Sequence, residues 1–415
     1  MKSFLEKSKL NIFTKVYNFS QYISEQEKLG WRIDIKFALI AFFISIFFAF
    51  PSLWLYLQPG RAGRLLFQMM QAENPLNREL PPIAQLLSYR FFVPSLNYFL
   101  GLKGFSVLII PISSAFINLF LLSRIIRTRT NNNYFTFINL IGLSLTWFIA
   151  EGTSFWGTTD SVSHLLILLP AAFRVNPLYF FFAVPFSLFN DERSVFSLLF
   201  LLLFIIRRER SKVNFSYYIS KSTLFAFLGF IIWLFGRYLI KAGFFAPSPD
   251  ISLVTNQIPN FLNFITEYWP SQLLNYLSSF KWYFFFPFFL IFILKKFSSN
   301  YLIYKYGFNL KRQINLNLLV FIFYSALVMI NGDVWRSMSY SYLFIIESVL
   351  ILYILKENFS IKLSHWISLL MILTPVCFFG TNLTPQGSFP LPLVLLRTFS
   401  SFGENFVPWF SNLFL

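Results

Sequence analysis

Residues 188–199 read LFNDERSVFSLL and place Asp191, Glu192 and Arg193 side by side between two strongly apolar runs. Those runs set the class of the whole chain. Of its 415 residues, 56% are hydrophobic, 21% aromatic and only 12% charged, with a mean hydropathy of +0.61. Soluble domains carry about a quarter charged residues, and the 59 Phe exceed what one soluble core can bury. The expectation is an all-α polytopic membrane protein whose solvent is the bilayer. Three adjacent charges inside such a pattern then need a reason.

Apolar runs separated by charge, Pro or Asn clusters give about eleven spans under the rule of ~20 residues per transmembrane helix. They fall at 36–57, 105–123, 134–150, 160–173, 177–190, 193–206, 222–242, 282–295, 316–330, 336–355 and 363–380. This reads as a cytoplasmic N-terminal segment 1–35, one transmembrane domain 36–380 with outer loops at 58–104 and 243–281, and an outer tail 381–415. The 1–35 segment has no early apolar run, so the first span is expected to act as an uncleaved anchor. With the N-terminus cytoplasmic, 23 of the 34 Lys and Arg lie inside and 11 of the 17 Asp and Glu lie outside or within spans. The two signs sort onto opposite faces, as the positive-inside rule requires. The net +17 is thereby explained by basic cytoplasmic loops, with no nucleic-acid partner. Cys377 is the single cysteine, which excludes an intramolecular disulfide and any Cys cluster.

This topology brings three turns to the outer face: EGTSFWGTTD with Glu151 and Asp160, the Asp191–Arg193 turn, and NGDVWRS with Asp333 and Arg336. Segments 160–173, 177–190 and 193–206 reach only ~21 Å each, short of a ~30 Å hydrocarbon core. Their outer ends are expected to be recessed, where ionisable groups must pair or face a wet cavity. Capping of helix N-termini is the simpler reading of Asp160, Asp191 and Glu192. Asp160 and His164 are four apart on one helix face, a pair suited to general-base work. With only two His, an all-His metal site is impossible, whereas a carboxylate-rich site for Mg²⁺ or Mn²⁺ is compatible with these residues. Arg336, Tyr340 and Glu347 lie near one face of the span 336–355, and Arg237 is the expected partner of the intramembrane Glu347. In the first outer loop, PGRAGRLL sets Arg61 and Arg64 three apart, and Arg90 opens the amphipathic RFFVPSLNYFLGLKG. Guanidinium forks suit phosphate oxygens, although basic and aromatic residues here also serve to anchor a protein at the headgroups. The segment 243–281 reads as a small outer subdomain or an interfacial helix around NFITEYWPSQLLNYLSSF. No Walker A, GxGxxG, HExxH or GxSxG motif occurs.

The order RFFVPSLNYFLGL, TTDSVSHLLILLP, NDERSVFSLL and NGDVWRSMSYSY resembles bacterial membrane proteins related to the GT-C class of glycosyltransferases, over roughly residues 40–350. The matching positions are Arg90 with Pro94, Asp160, Glu192 with Arg193, and Asp333 with Arg336. The resemblance implies a GT-C-like bundle in a bacterial inner membrane that uses a polyprenyl-phosphate-linked sugar on the non-cytoplasmic face, for cell-envelope glycan or glycolipid synthesis. In that class an acidic residue of an early outer loop usually serves as base or metal ligand. Here the first loop offers Glu73 and Glu79 but no Asp pair, and no large outer domain is expected within residues 381–415. As a transferase, the chain is expected to draw its base from Asp160, Glu151 or Glu192. Its phosphate clamp would come from Arg61, Arg64, Arg90, Arg193 and Arg336, supported by Asp191, Asp333 and His164. The partners implied are membrane lipid and a lipid-linked sugar. Two other classes fit the same charges: a transporter of a lipid-linked sugar or organic anion, and a glycan polymerase or ligase.

Overall fold

The computed structural model describes residues 30–51, 63–75, 89–154, 157–173, 175–208, 215–244, 261–298, 310–329, 334–379, 385–392 and 394–395. Its helices, in chain order, are α1 (Trp31–Phe48), α2 (Gly63–Glu73), α3 (Phe92–Phe99), α4 (Ile109–Thr130), α5 (Asn133–Ser144) and α6 (Trp147–Thr153). There follow α7 (Asp160–Ala172), α8 (Tyr179–Asn190), α9 (Ser194–Arg208), α10 (Phe215–Lys241), α11 (Phe261–Phe280) and α12 (Phe285–Leu294). The last are α13 (Leu310–Met329), α14 (Val334–Ser339), α15 (Tyr342–Leu355) and α16 (Glu357–Leu373). Among the described residues, four helical stretches are long and apolar enough to cross a membrane: Gly104–Thr130, Lys221–Lys241, Trp269–Leu294 and Leu310–Met329. A fifth is formed if α5 and α6, bent by 64° at their junction, count as one span. Helices α7, α8, α15 and the Ser194–Phe204 part of α9 are apolar but shorter.

Apolar faces alone do not hold such a bundle together, because lipid is as apolar as leucine; close backbone approach and interhelical hydrogen bonds do. Both are present. Asn118 donates to the Ser161 carbonyl at 2.8 Å, and Asn190 donates to the Thr159 carbonyl and the Ser163 hydroxyl at 2.7 Å each. At Gly152 a Cβ would sit 2.7 Å from the Ala115 Cβ and 2.8 Å from the Ser161 Cβ, so only glycine lets α6 approach α4 and α7 this closely. Helix α15 is buried on every side from Tyr342 to Tyr353 and is the axis of the bundle. Helix α10 is the opposite case: Leu224, Phe227, Ile231, Phe235 and Tyr238 are exposed along it, an apolar surface made for lipid. It lies against α8.

Several expected elements differ in detail. The span expected at 336–355 is broken at Tyr340 and Ser341, so Arg336 and Glu347 belong to separate helices. In place of the helix expected through 380, α16 ends at Leu373 and Cys377–Phe379 is a strand. The sequence 261–280, expected as part of an outer subdomain or as an interfacial helix, is helical, and α11 runs with α12 as one stretch through a 3₁₀ turn at Lys281–Phe284 and packs on α6 and α14. Three short strands, β1 (Phe50–Pro51), β2 (Cys377–Phe379) and β3 (Pro385–Phe389), form an antiparallel sheet of order β1-β3-β2, with Phe50 opposite Phe389 and Cys377 opposite Gly387. This sheet, which the all-α reading does not foresee, ties the end of α1 to the segment after α16.

At the end of the bundle that the charge pattern assigns to the cytoplasm, Asp34 is fully buried. It accepts from Ser123 Oγ at 2.9 Å and from the Arg127 guanidinium at 2.8 and 2.7 Å. Removing the carboxylate strands a half-buried guanidinium between α1 and α4. Asp34→Ala is expected to lower stability by about 3 kcal/mol, read as a fall in the thermal midpoint of the purified protein. Asp34→Asn should lose nearly as much, and an unchanged midpoint in both would rule the pair out as a structural tie.

Candidate functional site

The site is assembled from five segments distant in sequence. Glu151 lies on α6, which exists because α5 stops at Ser144. The Ser144 and Thr146 hydroxyls donate to the carbonyls of Ile141 and Leu143, local bonds that compete with the helical ladder, and Thr146 O then starts the new helix by accepting from Ile149 and Ala150. Asp160 is the first residue of α7, where the helix dipole favours an acid. Asp191 closes α8, and its Oδ1 accepts from the Arg193 backbone N–H at 3.0 Å, a turn that also folds the Arg193 side chain back onto the same carboxylate. Arg90 immediately precedes the α3 region, and Arg336 sits on the six-residue α14.

These side chains form a line of alternating charge. Glu192 binds Arg90 at 3.2 Å; Arg90 binds Asp191 at 2.9 Å; Asp191 binds Arg193 at 2.5 Å; Arg193 reaches Asp160 at 3.4 Å; Asp160 binds Arg336 at 2.6 Å; and Arg336 binds Glu151. The line runs inward. Glu192 and Arg90 have side chains 39% and 20% exposed, whereas Arg193, Asp160, Arg336 and Glu151 are all below 10%. Buried charges of this kind persist only when paired and hydrogen-bonded. Neutral groups complete the pairing: Tyr340 donates to Asp160 at 3.0 Å, Ser337 Oγ accepts from Arg193 at 3.2 Å, and the Arg193 guanidinium lies 5.3 Å over the Tyr340 ring. One polar atom at the inner end is left over. Glu151 Oε2 is buried with no hydrogen-bond donor among the described residues.

The residues singled out from sequence fare differently. Glu151, Asp160, Asp191, Glu192, Arg90, Arg193 and Arg336 are brought together. His164 is adjacent but bonds Ser339 through Nε2 at 3.3 Å rather than Asp160, and its ring is enclosed by Phe148, Tyr340 and Tyr342 while Nδ1 has no partner among the described residues. Arg61 and Asp333 lie outside the described residues, as does the side chain of Arg64, whose backbone is in α2. Arg237 is not the partner of Glu347. It stacks over Tyr89 and Trp233 near Glu192, while Glu347 accepts from Asn317. Ser337 and Ser339 are not singled out by the sequence reading; the hydroxyl-rich SMSYSY, unusual in an apolar span, is the available signal.

The geometry bears on what the site can hold. Among the described residues no group of three His, Cys, Asp or Glu is placed to bind a metal ion. The oxygens of Asp160 and Asp191 are taken up by guanidinium groups and Tyr340, so these residues do not fit a divalent ion in this arrangement. At the mouth, partial burial would raise the Glu192 carboxyl, but the charge and hydrogen bond of Arg90 outweigh it and hold the group at about 2. A depressed carboxylate adds stability above its unfolded value of about 4.3 and loses it as pH falls through the folded value. The stability difference between the natural chain and Glu192→Gln should therefore be level above about pH 5 and vanish on acidification toward about pH 2. A difference already gone at about pH 5 would mean that the Arg90 contact does not form in solution.

Compared with known proteins, the chain matches no family model, and neither a curated protein nor a solved structure is significantly similar to it.

Proposed function

We propose that this chain is an integral-membrane transferase of the GT-C kind, with about eleven spans, that moves a sugar from a lipid-phosphate carrier to an acceptor on the non-cytoplasmic face of a bacterial inner membrane. The observation that carries the reading is the inner end of the charged line: a carboxylate oxygen with no donor among the described residues, Glu151 Oε2, beside a guanidinium that also reaches Asp160. Displacement at a sugar C1 needs a base for the acceptor hydroxyl and cations for the departing phosphate. Glu151 takes the proton, the acceptor oxygen bonds to C1, and the C1–O bond breaks with its electron pair leaving on the phosphate. Arg336 and Arg193 receive that charge, exchanging part of their carboxylate contacts for phosphate oxygens. Asp160, held by both arginines and Tyr340, is a positioning residue, and Glu192 with Arg90 guards the mouth.

A second reading, transport of the same lipid-linked sugar, draws on the bend between α5 and α6. Irregular backbone at membrane depth commonly borders a transported substrate. One assay separates the two. The purified protein is reconstituted in vesicles containing a polyprenyl-phosphate sugar and a membrane glycolipid acceptor. Transfer predicts free polyprenyl phosphate and an extended acceptor in equal amounts, whereas transport predicts unaltered donor in the opposite leaflet. Neither product, over a panel of common sugars, would sink the transferase proposal.

A further inference from the structure

The apolar stretch Trp269–Leu294 carries one charge within its regular run, Lys281. Its backbone lies in the left-handed region, φ 50, which a residue with a Cβ adopts only when the surrounding structure holds it there. The consequence is a side chain directed across to the end of α16, where its ammonium donates to the Thr374 carbonyl at 2.8 Å. Capping that helix end accounts for one of three N–H donors. Among the described residues, no carboxylate lies within ion-pairing distance of Lys281.

The same lysine borders a groove of about 570 Å³ walled by Leu274, Leu277, Trp282, Phe285, Phe288 and Pro375. Leu277, Phe285 and Phe288 are 47%, 40% and 62% exposed, so the groove opens sideways from the bundle toward lipid. Its volume is that of a small-ligand site. Helix α16 starts on the side that Lys356 and Lys362 assign to the cytoplasm, so its Thr374 end, and Lys281 with it, stands toward the opposite headgroups; the ammonium is tethered beside an apolar trough and no anion faces it among the described residues. The complement is an amphiphile with an apolar tail and an anionic head.

We propose that this groove binds an acidic phospholipid of the surrounding bilayer, one acyl chain lying along Leu274, Leu277, Phe285 and Phe288 and a phosphate oxygen accepting from the Lys281 ammonium. The site shares no residue with the charged line and does not depend on the transferase reading. Native mass spectrometry of the delipidated full chain, titrated with dioleoylphosphatidylglycerol or dioleoylphosphatidylcholine, tests it. The expected result is one retained phosphatidylglycerol, favoured about tenfold over phosphatidylcholine, the effect of one charge-assisted contact. Lys281→Gln, which keeps a donor for Thr374, should abolish the preference. Leu277→Trp, a change at an exposed wall that leaves the lysine in place, should weaken retention of both lipids. Equal retention by the natural chain, an undiminished preference in Lys281→Gln, or unchanged retention in Leu277→Trp would overturn the proposal. So would displacement of the lipid by millimolar inorganic phosphate, which would make a free anion the occupant.

Discussion

Arg336→Ala is expected to destabilise the bundle by about 3–5 kcal/mol, the cost of deleting one partner from a buried ion pair. Arg336 lies between Glu151 and Asp160, and both carboxylates are almost wholly buried. Asp160 keeps Arg193 at 3.4 Å and Tyr340 at 3.0 Å, so its loss is partial. Glu151 loses its only guanidinium contact among the described residues and is left a buried carboxyl without its cation. The Arg336→Ala, Glu151→Gln double variant should therefore recover about 2 kcal/mol, a coupling within the range of contacting pairs. Arg336→Lys keeps the charge, but a compact ammonium cannot reproduce the fork that spans two carboxylates. It should fall between the natural chain and Arg336→Ala. Thermal or denaturant unfolding of the four proteins gives the cycle. A single-variant loss under about 0.5 kcal/mol would show that the inner pair is not formed, or is solvated.

Glu151→Gln should separate chemistry from architecture. The amide keeps the side chain's size and one acceptor oxygen, and Arg336 retains Asp160, so stability should change by no more than about 1 kcal/mol. If Glu151 is the base, transfer should fall by about 10²- to 10⁴-fold, the usual contribution of general-base catalysis. The donor's affinity should be nearly unchanged, since the guanidinium groups that meet its phosphate remain. Glu192→Gln is the matched control: it removes a carboxylate from the mouth, so its effect should fall on substrate entry and leave turnover at saturation within about threefold. Full transfer by a stable Glu151→Gln protein would remove Glu151 from the mechanism. Equal losses in both variants would mean that the line acts as one electrostatic unit with no single base.

Much of this site was readable from the order of residues, because charge in an apolar chain is costly and therefore informative. Sorting Lys and Arg from Asp and Glu put the turns at Glu151–Asp160, Asp191–Arg193 and Asp333–Arg336 on one side, and the structure brings the described members of all three into contact. What could not be read was who meets whom. Asp160 and His164 share a helix face, yet His164 turns to Ser339, because the rotation of α7 against α14 decides the partner. Arg237 sits on a helix that packs against α8 and lies near Glu192, whereas Asn317 of α13 supplies the contact to Glu347. The break at Tyr340 and Ser341 has no Pro or Gly to announce it; there the Ser197 hydroxyl donates to the Tyr340 carbonyl at 2.5 Å. Pro270 lies inside α11 without ending it, as transmembrane helices permit when neighbours satisfy the freed carbonyl.

The small sheet has a consequence for biosynthesis. Phe50 pairs with Phe389, so the clasp between β1 and β3 cannot close until the chain has been made past residue 389. At 5–20 residues per second that is a delay on the order of half a minute, during which β1 has no neighbour. An unpaired edge invites the wrong partner, and this one offers very little of an edge: two residues, the second a proline with no amide hydrogen to donate. The nascent chain thus carries its earliest sheet segment in a form too short to template on anything else while it waits for β3.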